Sequence, residues 1–260
     1  MEKLICGIVL AVWTASLLPA HAAGVEVAIG GWRQDPNGML DITTRGSSNE
    51  FDLDDELDYD PEYQIFGRLK LETPLFFPNI YVIAAPMEFE GSGSTNVDFD
   101  FDGQSLFTGD ELDSKLTLNQ YDLSLYYSVP ALRAATAGTL NIDVGLNLRW
   151  LDFSADITGI SASEPGVVFT EEEDLSIVVP MLYAALQVTP HKRLSIEAEA
   201  RGLAIGDNSL YSLLGRIRFS LIGPAFIAAG YRYDAVDIDE DDIRLDADFS
   251  GPFAEFGLKF

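Results

Sequence analysis

Beyond residue 22 the chain has no unbroken run of about 18 apolar residues, the length a membrane-crossing helix needs, yet stretch after stretch alternates apolar and polar side chains with a period of two. The clearest is LNIDVGLNLRW, with Leu140, Ile142, Val144, Leu146, Leu148 and Trp150 on one face and Asn141, Asp143, Gly145, Asn147 and Arg149 on the other. Successive side chains of a strand point to opposite faces, so this pattern specifies a β-strand with one oily and one polar side. YQIFGRLKLE sets Ile65, Gly67, Leu69 and Leu71 against Gln64, Arg68, Lys70 and Glu72, and LSIEAEARG sets Leu194, Ile196, Ala198 and Ala200 against Ser195, Glu197, Glu199 and Arg201. In GRIRFSL, Arg216 and Arg218 oppose Ile217 and Phe219.

Weaker segments at 24–33, 79–90, 119–129, 175–188, 225–234 and 252–260 bring the total to about ten, each near the length a tilted strand needs to cross a bilayer. The connections alternate. Those at 73–78, 130–137, 189–193 and 222–224 are short, whereas those at 34–61, 91–118, 153–174 and 235–251 are long and acidic; GDNS at 206–209 is short out of turn. Long loops on one rim and tight turns on the other predict an all-β fold, a closed antiparallel transmembrane β-barrel of about ten strands, or of eight if the segments at 24–33 and 79–90 do not both span. Pro86 and Pro180 each remove a ladder donor from a predicted strand, so bulges or displaced strand boundaries are expected there.

The first residues read as a secretory leader. Lys3 precedes an apolar run from Leu4 to Leu18, and Ala20, His21 and Ala22 form a small-x-small cleavage pattern. Cleavage would leave residues 23–260 as one barrel domain. The sole cysteine, Cys6, lies in the leader, so that domain has no thiol and no disulfide. The formal charge of −26, from 42 acids and 16 bases, repels nucleic acid and anionic membranes, so partners held by phosphate contacts are not expected.

The chain ends in FAEFGLKF, with Phe256, Leu258 and the terminal Phe260 on one parity. Leader, alternating strands, unequal connections and final phenylalanine together resemble the small outer-membrane β-barrel proteins of Gram-negative bacteria. The resemblance implies residence in the outer membrane among lipid and lipopolysaccharide. It also implies that Phe256, Leu258 and Phe260 form the signal read by the barrel-assembly machinery during insertion.

With the apolar parity toward lipid, the polar parity fills the lumen. The residues expected to form an ion-pair network there are Arg68, Lys70, Glu72, Glu88, Glu90, Asp143, Arg149, Glu197, Glu199, Arg201, Arg216, Arg218 and Arg232, joined by Glu26, Asp122, Glu255 and Lys259. Near-balanced charges in a lumen this narrow favour a plug of ion pairs, with a narrow cation-preferring channel as the alternative. Trp32, Trp150, Tyr211, Tyr231 and Tyr233 are expected to girdle the loop rim, and Phe219, Phe256 and Phe260 the turn rim.

Catalysis and metal binding are weighed in turn. Barrel enzymes of the resembled class need a histidine near the outer rim, and the only one after the leader, His191, lies in the turn TPHKR, so a non-enzymatic protein is expected and a hydrolase disfavoured. DFDFDG places Asp98, Asp100 and Asp102 before Gly103 like the opening of a calcium loop, but Gly109 stands where the completing glutamate belongs. Further carboxylates cluster at Asp52, Asp54, Asp55, Glu56, Asp58 and Asp60 and from Asp237 to Asp242. Solvated loops or Ca²⁺ or Mg²⁺ sites are the two alternatives; no other cofactor is implied. The resulting expectation is a structural or surface-interaction protein whose acidic extracellular loops bind divalent cations or a partner.

Overall fold

The structure is a computed structural model that describes residues 24–44, 47–74, 76–94, 99–101, 104–106, 111–160, 168–205, 208–240 and 243–260. The leader, 1–22, lies outside these residues. The elements are β1 (Gly24–Thr44), β2 (Ser47–Asp52), β3 (Glu62–Glu72), β4 (Asn79–Ala85), β5 (Glu88–Ser94), β6 (Phe99–Phe101), β7 (Gln104–Leu106), β8 (Glu111–Ser128), α1 (Pro130–Ala135), β9 (Leu140–Ile160), β10 (Val168–His191), β11 (Leu194–Ile205), β12 (Asn208–Ser220), β13 (Ala225–Glu240) and β14 (Ile243–Lys259).

Neighbours in sequence pair antiparallel around the sheet, and β14 returns to pair with β1 from Glu26↔Lys259 to Ile42↔Ile243, closing a barrel of ten staves. The staves are β1, β3, β4 with β5, and β8 to β14. Both weak segments, 24–33 and 79–90, are staves, which rules out the count of eight. The strands β2, beside the upper half of β1, and the β6–β7 hairpin stand outside the ten.

Neither proline introduces a bulge. Pro86 splits one stave into β4 and β5, but both pair with β8 in a single register, Ala85↔Gln120 and then Glu88↔Thr117. The Leu118 N–H bridges the gap by donating to the Met87 carbonyl at 2.9 Å. Pro180 pairs with Leu148 in an unshifted β9–β10 ladder, and pairing with β11 begins only at Leu182↔Gly202. Its missing N–H thus falls where the ladder to β11 ends. At 130–137, where a tight turn is expected, the chain makes the single helical turn α1, with Pro130 in its first turn, where no N–H is needed.

The staves are longer than a membrane crossing: β1 and β9 have 21 residues, β10 has 24. Only about 9–11 are needed to span. The surplus has a visible cause in β9. Below Trp150 the outward parity is apolar, with Val144, Leu146 and Leu148 exposed; above it the same parity carries Asp152, Ser154, Asp156 and Thr158. The inward parity inverts in step, from Asn147 and Arg149 to Leu151, Phe153, Ala155 and Ile157, all buried. The geometric period runs on while the polarity reverses, because outside the bilayer the wall faces water and must bury its apolar residues inward.

Neighbouring staves invert at the same height. On β8 the outward side chains change from Leu123 and Tyr121 to Asn119 and Thr117, and Tyr121 pairs with Trp150, ring centroids 6.1 Å apart. On β10 they change from Val178 to Ser176, whose hydroxyl accepts from Trp150 Nε1 at 2.7 Å. Trp150, Tyr121, Tyr211, Tyr231 and Tyr233 thus mark the loop-side edge of the apolar belt, with Phe219, Phe256 and Phe260 outward nearer the turns. Trp32 departs from the expected girdle: it shares the inward parity of Glu26 on β1 and is fully buried.

Candidate functional site

The interior consists of two stacked layers. The layer nearer the turns is ionic. Arg68 on β3 donates from Nη1 to Glu26 at 2.7 Å and grips Glu255 with Nε and Nη2 at 2.8 and 2.7 Å. Arg216 on β12 donates from Nε to Glu197 at 2.7 Å and from Nη2 to Glu199. Glu199 also accepts Lys70 at 3.0 Å and Arg201 at 3.1 Å, so three bases from three staves converge on one carboxylate. Arg218 reaches both Glu26 and Glu197 at 3.0 Å. These groups alternate with apolar side chains along their strands, so the sheet alone brings them to the axis.

A second cluster is built on β8, β9 and β13. Arg149 grips Asp122 with two hydrogen bonds of 2.9 Å, and Asn147 donates to the same carboxylate at 2.7 Å. Arg232 pairs with Asp234, donates to Gln120 at 2.9 Å and lies 4.4 Å from the centroid of Trp32. Tyr81 and Tyr183 separate the clusters, with Arg201 about equally close to both rings, at 5.1 and 5.0 Å. Lys259 and Glu72 pair at 3.2 Å by the turn rim.

Three placements differ from expectation. Glu88 and Glu90 are not in the lumen: they lie on the outward parity of β5, above the apolar belt, and both accept Lys115 of β8, at 2.7 and 2.9 Å. The physical reason is the polarity inversion, which in that stretch turns Met87 and Phe89 inward and the charges outward. Asp143 accepts hydrogen bonds from Ser128 and Asn141 at 2.6 and 2.8 Å, with no base in pairing distance among the described residues. Asp234, fully buried and bound to Arg232, was missed although it shares that residue's parity. Exchanging Glu88 and Glu90 for Asp234 leaves eight lumenal acids against eight bases.

The upper layer is apolar. Leu116, Leu118, Leu151, Phe153, Ile157, Val236, Ile238, Leu245 and Phe249 are buried in it. Each contributes about 1.5–3 kcal/mol relative to exposure. The end of β2 and the connection after it fold inward over it, burying Phe51 on the strand and Leu53, Leu57 and Tyr59 beyond it. Tyr59 and Phe89 lie 6.1 Å apart, and Phe89 stacks on Phe249 at 5.6 Å. This plug needs glycine beneath it. A Cβ on Gly91 would overlap the Leu57 carbonyl oxygen, and one on Gly93 that of Glu56. Burial pushes the Tyr59 hydroxyl up to about 12, against a hydrogen bond with Ser114 that lowers it. The Glu88 and Glu90 carboxylates hold the Lys115 ammonium above the ordinary lysine range.

On the outer surface above the belt, Asp152, Asp156, Asp174, Asp237, Asp239, Asp246 and Asp248 form an acidic collar. Burial and the neighbouring Asp246 raise the Asp248 carboxyl. Among the described residues no three potential ligands converge to hold a metal. The candidate calcium residues Asp98 and Asp102 lie outside the described residues, and only the backbone of Asp100, in β6, is described. His191 is exposed at the turn rim, its Nδ1 accepting the Arg193 N–H at 3.2 Å. Phe256 faces outward on β14, and Phe260, exposed just past its end, donates its N–H to the Val25 carbonyl at 2.8 Å.

No protein-family model matches the sequence, and no curated protein matches it. Among solved structures the chain is similar to the outer-membrane protease OmpT of Escherichia coli, with a TM-score of 0.52 and 10% identity over 91% of this chain and 97% of that one. Weaker likenesses are to the translocator domain of the autotransporter NalP of Neisseria meningitidis, TM-score 0.46 at 10% identity over 100% and 96%, and to Ail, the attachment invasion locus protein of Yersinia pestis, TM-score 0.34 at 11% over 92% and 100%. Sheet closure, stave count and this likeness agree: the chain has the fold of the Gram-negative outer-membrane β-barrels.

Proposed function

We propose that the protein is a sealed, non-enzymatic barrel of the outer membrane with a structural or surface-interaction role carried by its acidic loop side. The observation that carries this is the double closure of the lumen, by the ionic layer across the membrane and by the apolar layer under the 51–59 plug. Ionised pairs this buried hold one another in place, because separating them strands a charge in a poor dielectric. A conducting channel would require both layers to part. The likeness to the E. coli protease is one of fold alone, and His191, the one histidine after residue 22, sits at the opposite rim from the loops. The acidic collar supports attraction of Ca²⁺ or Mg²⁺ as a diffuse surface effect.

Purified protein in planar bilayers tests the proposal. The expected result is no steady conductance in the intact chain and a conductance that appears only when the plug and Arg216 are altered together. Steady conductance by the unaltered protein would make the channel the better reading. Calcium at millimolar concentration should slow proteolysis of the loop side, and an unchanged digestion pattern would remove the cation effect.

A further inference from the structure

A second charge asymmetry lies outside the lumen. The four turn-side connections, 73–78, 129–139, 189–193 and 221–224, contain no Asp or Glu, on a chain of formal charge −26. They do contain Arg133, His191, Lys192 and Arg193, all exposed. These gather at one corner, because β9 and β10 are adjacent staves and the Thr189 N–H donates to the Thr139 carbonyl at 2.7 Å, tying the two connections together. None of the three permanent bases has an ion-pair partner among the described residues.

Elsewhere on the same rim, beside the paired Lys259 and Glu72, large apolar side chains are exposed: Phe76 is 91% exposed, Phe77 68%, Ile222 90% and Phe260 69%. Side chains of this kind beyond the strand ends are favourable only where lipid meets headgroup, which sets the depth of the rim. A base at that depth faces phosphate.

We propose that Arg133, Lys192 and Arg193 form a binding site for the headgroup of an anionic phospholipid in the leaflet met by the turn rim. A zwitterionic headgroup brings its own ammonium, which these bases repel; an anionic one presents uncompensated phosphate charge. The acidic loop side repels such lipids, so selectivity belongs to this corner alone.

The test uses the whole barrel in phosphatidylcholine vesicles containing spin-labelled phosphatidylglycerol or spin-labelled phosphatidylcholine, reading the motionally restricted fraction by electron paramagnetic resonance. The expected result is a preference of about fivefold for phosphatidylglycerol, the factor for one base at a charged surface, falling toward parity at high salt. R133Q/K192Q/R193Q should abolish it, while R244Q on the loop side should not. K192Q/R193Q, confined to a turn, serves if the triple variant loses the gel migration of a closed barrel. Equal restriction of both lipids, or a preference that survives the triple change, would overturn the site. The inference rests on membrane placement, and failure to enter vesicles would instead contradict that placement.

Discussion

Glu199 and Arg216 are the most connected pair of side chains in the barrel, and each is fully enclosed. Changing Arg216 to Met leaves Glu197 and Glu199 short of a partner, so a loss of about 3–5 kcal/mol is expected in urea unfolding from vesicles. R216M/E197Q should recover much of that loss, since it also removes a carboxylate left short of a partner, while Arg218 keeps Glu26 and Glu199 keeps Lys70 and Arg201. Tyr59 gives a pH prediction. Burial lifts its hydroxyl to about 12, above the ordinary phenol value of about 10. The contribution of the neutral hydroxyl to plug closure is therefore complete below pH 10 and is lost as pH rises toward 12. The phenolate absorbance gained in that upper range should be smaller by one tyrosine in Tyr59→Phe. Most of the charged lumen was legible because Arg68, Glu197, Glu199, Arg201, Arg216 and Arg218 oppose unmistakably apolar neighbours. Glu88 and Glu90 were not, because both parities of the stretch before them, IYVIAAPM, are apolar and leave only charge to suggest a face.

Among the strands, β9 records the membrane boundary most plainly. Leu146→Arg, on the lipid face, is expected to cost about 2–4 kcal/mol if near the midplane. Asp152→Arg, six residues on along the same face, should change stability by no more than about 0.5 kcal/mol. Comparable costs at the two positions would contradict a boundary at Trp150. The upper halves of β9 and β10 were expected to be loop, since the end of the apolar-outside pattern resembles the end of a strand. The alternation in fact continues in LDFSADI with its polarity exchanged, a signal that can be read once water and lipid are treated as two successive solvents for one wall. The plug is less legible. That Gly91 and Gly93 leave room for the 51–59 connection depends on a contact between segments distant in sequence, which periodicity does not carry. Gly93→Ala should displace the plug and speed proteolysis within 51–59, leaving the closed-barrel gel migration unchanged; equal digestion of the variant and the parent would show that the turn needs no such space.

For the molecule as a whole, the ten staves, the ionic layer inside the belt and the apolar layer above it describe one object, a wall whose two faces exchange character where the bilayer ends. Closure leaves no free edge among the staves within the belt, as a lipid solvent demands. The apolar layer above it is what allows long staves to stand in water. The direct test is a nitroxide scan of residues 140–160 in vesicles, made simple because Cys6 is the only cysteine in the chain. Even-numbered positions from 142 to 148 should be accessible to oxygen and shielded from an aqueous nickel chelate, those from 152 to 158 should show the reverse, and odd-numbered positions from 143 to 157 should be shielded from both. Nickel access at all the even positions would contradict a membrane belt, and nickel access at 143 to 149 on the odd face would contradict a sealed lumen.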